Sequence, residues 1–176
     1  MQKASLDIIR VRTRPGARAR GWLTAGTLAI PVALGRSGVI ANKREGDGGT
    51  PRGRFRLVRL WWRADRLPHP RTMLPSRRIR RGDGWCENPK DRRYNQPIHV
   101  PQKNDGDRLA RADKLYDFII ELDHNTRPRI AGRGSAVFVH VACDNFGPTA
   151  GCVALEHGTL HKLLSRLGPR TRIDIR

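Results

Sequence analysis

A chain of 176 residues is long enough for one core, so residues 1–176 are read as a single domain. Its 35 Lys plus Arg against 16 Asp plus Glu give a formal charge of +19, and 29 of the 35 are Arg. Arg grips carboxylates and phosphates through a planar fork of donors, so an anionic partner is expected, and charge alone leaves nucleic acid, an anionic membrane surface and acidic peptides open. Three cysteines, Cys86, Cys143 and Cys152, are too few for a disulfide scaffold, and the lack of a CxxC pair speaks against zinc or thioredoxin-like work. A bridge between Cys86 and Cys143 is sterically open from sequence alone.

In chain order, LDIIRV, GWLTAG, TLAIPVALG, GVIA and RFRLVRL alternate apolar and polar residues with Gly at the breaks, the pattern of half-buried antiparallel strands. The run at 21–35 is interrupted by Gly26 and Pro31 and is short for a membrane span, so it reads as β structure, and no cleavable signal peptide is read at the start. KREGDGGTPRG, residues 43–53, is a loop; it lacks GK[ST] and GxGxxG, so its glycines serve a turn. Residues 61–107 show no sustained apolar period and are expected to be a long irregular excursion, packed down by Trp61, Trp62 and Trp85. Within it, Arg77, Arg78, Arg80 and Arg81 read as a solvated loop or as a clamp for substrate carboxylates.

LYDFIIEL and SAVFVHVA are the central-strand candidates. In EHGTLHKLLSRLG, Leu160, Leu163, Leu164 and Leu167 fall at i, i+3, i+4 and i+7, which predicts an amphipathic helix ended by Gly168 and Pro169, and TRIDI returns as a strand. The fold class is therefore mainly β with a few helices. His157 and His161 have metal-ligand spacing but lack the Glu of HExxH, so they read as exposed polar residues and no metal is expected.

The chemistry concentrates in HVACDNFGPTAGCVAL, residues 140–155. Alternation places His140 on the same face as Phe138 and Ala136, and the loop that follows can return Cys152 toward the imidazole. A thiol is a weak nucleophile until a neighbouring imidazolium lowers its pKa, so His140 is the expected base and Cys152 the nucleophile. Ala150 and Gly151 leave the backbone open, and the N–H groups of Gly151 and Cys152 are the expected oxyanion donors.

A strand ending in His, a short loop and a [ST]xGC turn, here Thr149, Gly151 and Cys152, resembles the signature of the YkuD-type L,D-transpeptidases. GDGGTPRGRF at 46–55 is similar to that family's TPxG turn, and the resemblance runs from about residue 28 to the C-terminus. KREGDGGTPRG, DGWCENP, Tyr94 with Asn95, DHN at 123–125, GRGSAVFVH and PTAGCVAL resemble more narrowly a compact proteobacterial subgroup. The resemblance implies a β-sandwich catalytic domain without a cofactor, a thioester acyl-enzyme, cross-linking of peptidoglycan stem peptides in the periplasm and inactivation by carbapenems. It implies that a main-chain carbonyl, that of Val141, orients the His, and it makes Thr149, Tyr94, Asn95, His124 and Asn125 the candidates for substrate binding. The chain departs from better-known members in a shorter His-to-Cys spacing, in Ala150 for the His of SHGC, and in Ala154 for Arg or Asn.

Cross-links between diaminopimelates and from L-alanine to diaminopimelate both fit, as does hydrolysis by an L,D-carboxypeptidase. The rivals are a wall-binding protein and a basic nucleic-acid module. No nucleic acid is expected, because no binding motif is present and the aromatic residues are not interleaved with basic ones on an obvious strand face. A monomer is favoured.

Overall fold

The computed structural model describes residues 5–100 and 107–176. β1 (Ile8–Arg14), β2 (Ala17–Ala25) and β3 (Leu28–Ala33) run antiparallel, as their alternation predicts. Ile9, Val11, Leu23 and Val32 point into the core while Arg10, Arg18 and Arg20 face water. The apolar run at 21–35 is thus mostly β2 and β3, and no described helix is long and apolar enough to cross a membrane. β4 (Val39–Ile40) and β5 (Thr50–Pro51) pair in parallel and hold the ends of the KREGDGG loop together.

β6 (Gly53–Trp62) is the longest strand. After it come β7 (Ser76–Arg78), β8 (Asp83–Trp85), β9 (Pro97–His99) and β10 (Asp107–Arg108). The active half follows as β11 (Phe118–Leu122), β12 (Phe138–Val141), β13 (Val153–Leu155), α1 (His157–Leu164) and β14 (Arg172–Ile175). Gly53–Arg56 of β6 pair with β14, and Leu57–Trp62 pair with β11. The sheet β11-β12-β13-β3-β2-β1-β14-β6 therefore returns on itself and encloses one apolar cluster that includes Ile9, Leu23, Leu60, Phe118, Val139, Leu155 and Ile173.

The excursion expected to be irregular contains a small sheet of its own, β10-β8-β9, and β7 extends the main sheet beside β6; residues 101–106 lie outside the described residues. Two- and three-residue strands rich in Arg and Pro are too short to show a period, which is why pattern reading missed them. Tryptophan packing does hold the segment down. Trp85 meets Trp61 and Phe138 edge-on, with ring centroids 6.4 and 5.0 Å apart. These rings, with Ile79, Leu109, Tyr116, Ile119, Ala136 and Cys152, form a second apolar cluster. β11 and β12 are consequently buried on both faces: Phe118, Ile120, Val139 and Val141 face the first cluster, Ile119 and Phe138 the second.

One helix is found among the described residues. Glu156 caps it, its carboxylate accepting from the backbone N–H groups of Gly158 (2.8 Å) and Thr159 (2.6 Å). Leu160, Leu163 and Leu164 form its buried stripe. The helix stops before Leu167 because the amides of Arg166 and Leu167 bond back three residues, to Leu163 and Leu164, in a tightened last turn. Leu155 on β13 is completely buried in the first cluster. Leu155→Ala is expected to lower stability by about 2–5 kcal/mol in urea titration.

Candidate functional site

β12 and β13 are parallel neighbours with Val139 opposite Val153 and His140 opposite Ala154. That register sets Cys152, the residue before β13, beside Phe138, whose backbone N–H lies 3.4 Å from Cys152 Sγ. The thiol donates to the Ala136 carbonyl at 3.2 Å. His140 lies on the same face as Phe138, one pleat further along, buried and edge-on to Tyr116 at 5.4 Å. Its Nδ1 is 2.8 Å from the Val141 carbonyl.

Cys152 lines a cleft of about 360 Å³ together with Gly151, Ala136, Ser135, Tyr116, Lys43, Glu45 and Arg111. Burial pushes the His140 pKa down to about 4, against the raising effect of the Val141 carbonyl. Burial therefore works against the imidazolium expected from sequence, and Cys152 Sγ is placed to donate to the Ala136 carbonyl.

The turn before Cys152 is tied together by threonines. Thr149 Oγ1 donates to the Cys152 carbonyl (2.7 Å) and accepts from the Gly151 N–H (3.1 Å), and Thr50 Oγ1 donates to the same carbonyl at 3.4 Å. The Gly151 N–H, an expected oxyanion donor, is thus spent inside the turn. Gly151 has φ +148°, and a Cβ there would lie 2.7 Å from the Gly49 carbonyl oxygen, so only glycine fits.

Of the substrate-binding candidates, Thr149 shapes the turn, and the other four sit behind the cleft wall. Tyr94 is buried and donates its hydroxyl to Glu45, which also accepts from Ser135 Oγ at 2.7 Å; burial and the Glu45 carboxylate raise the Tyr94 pKa. Asn95 is buried with every group used. Its Oδ1 accepts from Trp85 Nε1 (3.0 Å) and the Ala136 N–H (3.1 Å), and its Nδ2 donates to the His124 and Asn125 carbonyls, both at 3.0 Å. Asn125 ties its own loop to Ile130 and Gly134 at 2.9 Å. His124 Nε2 is 3.0 Å from the Arg133 carbonyl, and its ring stands edge-on to Phe55, 5.5 Å away. Buried polar groups must find partners, as Tyr94 and Asn95 do, and the half-buried His124 and Asn125 also bond within the protein.

Sequence reasoning assigned no role to the residues that do line the cleft, Lys43, Glu45 and Arg111, although Lys43 and Glu45 lie inside the quoted KREGDGGTPRG motif. Lys43 is a buried lysine whose Nζ bonds Asp47 Oδ1 (2.5 Å) and the Arg44 carbonyl (2.7 Å). The arginines at 77–81 do not line this cleft. Arg77 lies over the Trp61 ring at 4.6 Å and pairs with Asp83 at 3.5 Å. Cys86 and Cys143 are free thiols; Cys143 Sγ contacts Asn145 Oδ1 at 3.0 Å and the Gly147 N–H at 3.1 Å. His157 pairs with Asp117 at 3.3 Å and His161 stacks on Phe118, and no group of metal-binding side chains occurs among the described residues.

A mostly-β domain with a histidine on one strand and, at the start of its parallel neighbour, a cysteine that lines a polar cleft is the class that fold and site together define. The chain belongs to the YkuD family, matching its L,D-transpeptidase catalytic domain over residues 14–175. Comparisons with curated proteins and with solved structures gave no match.

Two outcomes test this geometry. Unfolded His takes up a proton below about pH 6.5, whereas native His140 stays neutral down to about 4, so the unfolded state binds more protons across that window. Stability contributed by neutral His140 is complete above pH 6.5 and is lost as the pH falls toward 4, by about 3 kcal/mol. The difference in urea stability between wild type and His140→Gln should shrink accordingly over that range. Gly151→Ala should cost about 2 kcal/mol or more in the same titration, because strain at φ +148° adds to the clash with Gly49.

Proposed function

We propose that Cys152 is the nucleophile of a peptidoglycan L,D-transpeptidase acting in the cell envelope on stem peptides, without a cofactor. The observation that carries this reading is the pairing of β12 with β13, which brings the thiol to the cleft on the face that His140 occupies. With Nδ1–H donated to the Val141 carbonyl, Nε2 of His140 holds the lone pair and takes the thiol proton as the sulfur attacks the donor carbonyl.

A tetrahedral oxyanion forms at the turn of Cys152, where the Cys152 N–H is the expected donor. The carbon–nitrogen bond breaks, His140 returns the proton to the leaving amine, and a thioester remains on Cys152. The amine of an acceptor stem then attacks the thioester, giving its proton to His140 and expelling the thiolate. Water in its place makes the product of a carboxypeptidase. The motif PTAGCVAL supports a reading within the compact proteobacterial subgroup, and a cysteine acyl-enzyme would make carbapenems inhibitors.

Intact mass after carbapenem exposure should show one adduct on the wild type and none on Cys152→Ala. Muropeptide mass spectrometry then separates the products. Release of D-alanine marks a diaminopimelate–diaminopimelate link, release of a longer peptide marks a link from L-alanine, and uncrosslinked shortened stems mark hydrolysis. Absence of adduct and of all three products rejects the reading.

A further inference from the structure

β1, β2, β6 and β14 carry a basic face whose arginines do not line the Cys152 cleft. Along β2 the outward positions read Arg18, Arg20 and Trp22, two guanidiniums followed by one indole. β1 adds Arg10 and Arg12, β6 adds Arg54 and Arg56, and Arg172 and Arg176 flank the outward side of β14. Cross-strand register aligns them in rows. Arg54, Asp174, Arg10 and Thr24 share one, and Arg12, Trp22 and Pro31 the next.

Asp174 is the one carboxylate in these rows. It is 4% exposed, bonded to Arg12 at 3.3 Å and to Arg176 at 3.2 Å, whereas Trp22 is 42% exposed. Opposing strands lie about 4.8 Å apart and successive outward residues about 6.8 Å apart, so the guanidiniums form a grid about 15 Å across. Single-stranded nucleic acid is gripped along a groove by a ladder of aromatics. Here the charge spreads in two dimensions around a single exposed indole, which suits a plane of anionic headgroups with Trp22 at the interface.

We propose that this face docks the protein on a bilayer rich in anionic lipid, with guanidiniums pairing with headgroup phosphates and Trp22 seated at headgroup depth. The test is co-sedimentation with vesicles of phosphatidylglycerol and phosphatidylcholine, against phosphatidylcholine alone, at about 0.1 M salt. The protein should partition onto the anionic vesicles only. A triple variant, Arg10→Glu, Arg18→Glu and Arg54→Glu, should bind about tenfold more weakly or worse.

Tryptophan emission should shift to the blue on anionic vesicles and lose that shift in Trp22→Phe, because Trp61, Trp62 and Trp85 are already buried. Equal partition onto both vesicles, no partition at all, or wild-type partition by the triple variant overturns the proposal, as does retention on a single-stranded oligonucleotide with vesicles ignored. The triple variant should still take the carbapenem adduct, so failure here leaves the transpeptidase reading intact, and the reverse holds too.

Discussion

The parallel pairing of β12 with β13 is the constraint on which the site depends. Parallel strands need a crossover, usually a helix of a dozen residues or more. Here the crossover is only the segment from Ala142 to Cys152, too short for a packed helix, so it must be held by local bonds. Cys143, Asn145 and Gly147 close its first half, and Thr149, bonded to the Cys152 carbonyl and the Gly151 N–H, closes its second. The β3 end of the sheet anchors it from outside: the Thr149 N–H donates to the Leu34 carbonyl and the Arg36 N–H to the Thr149 carbonyl. A change in crossover length would slide Cys152 along Phe138 and away from the face that His140 shares.

Covering β12 on its second face decides the chemistry as well as the packing. Trp61, Trp85, Tyr116 and Phe138 dry the surroundings of His140, and that dryness holds the imidazole neutral. Polar groups can enter this layer only if every one is satisfied. Asn95 meets that condition by joining Trp85, Ala136 and the 124–125 loop, and through the Ala136 amide it fixes the carbonyl to which the thiol donates. Ala136 sits at φ +51°, a conformation a non-glycine residue holds only when its neighbours over-determine it, and Asn95 and Cys152 are those neighbours.

What pattern reading recovers and what it misses follow from the range of each interaction. Alternation exposes β1, β2, β3 and β6 because each has one wet face, and a run of apolar residues marks β11 and β12 because neither does. The leucine spacing finds α1, and the GC turn that ends PTAGC contains Gly151 and Cys152, which line the cleft. The β10-β8-β9 sheet is illegible because its strands, two or three residues long, hold little more than one period of alternation. The roles of Asn95, His124 and Asn125 are illegible because a polar residue in a loop reads the same whether it awaits a ligand or closes a turn. The Gly151 N–H belongs with these: no sequence rule says that the hydroxyl two residues earlier will claim it.

The departures at Ala150 and Ala154 have a steric logic. Ala154 is 1% exposed, opposite His140 on β12 and Ala33 on β3, so a long polar side chain at that position has no room beside the imidazole. Ala150 is exposed at the cleft rim and offers no donor there. Cations reach the cleft instead from Arg36 and Lys43 on the β3–β6 connection and from Arg111 on the approach to β11. Lys43 is fixed by Asp47, and Arg111 by Asp113 at 2.7 Å, so these charges are placed before any ligand arrives. A connection that brings its own charge is free to do so because Gly151 lets its backbone approach the Gly49 carbonyl, and that approach sets the Lys43 loop against the turn of Cys152.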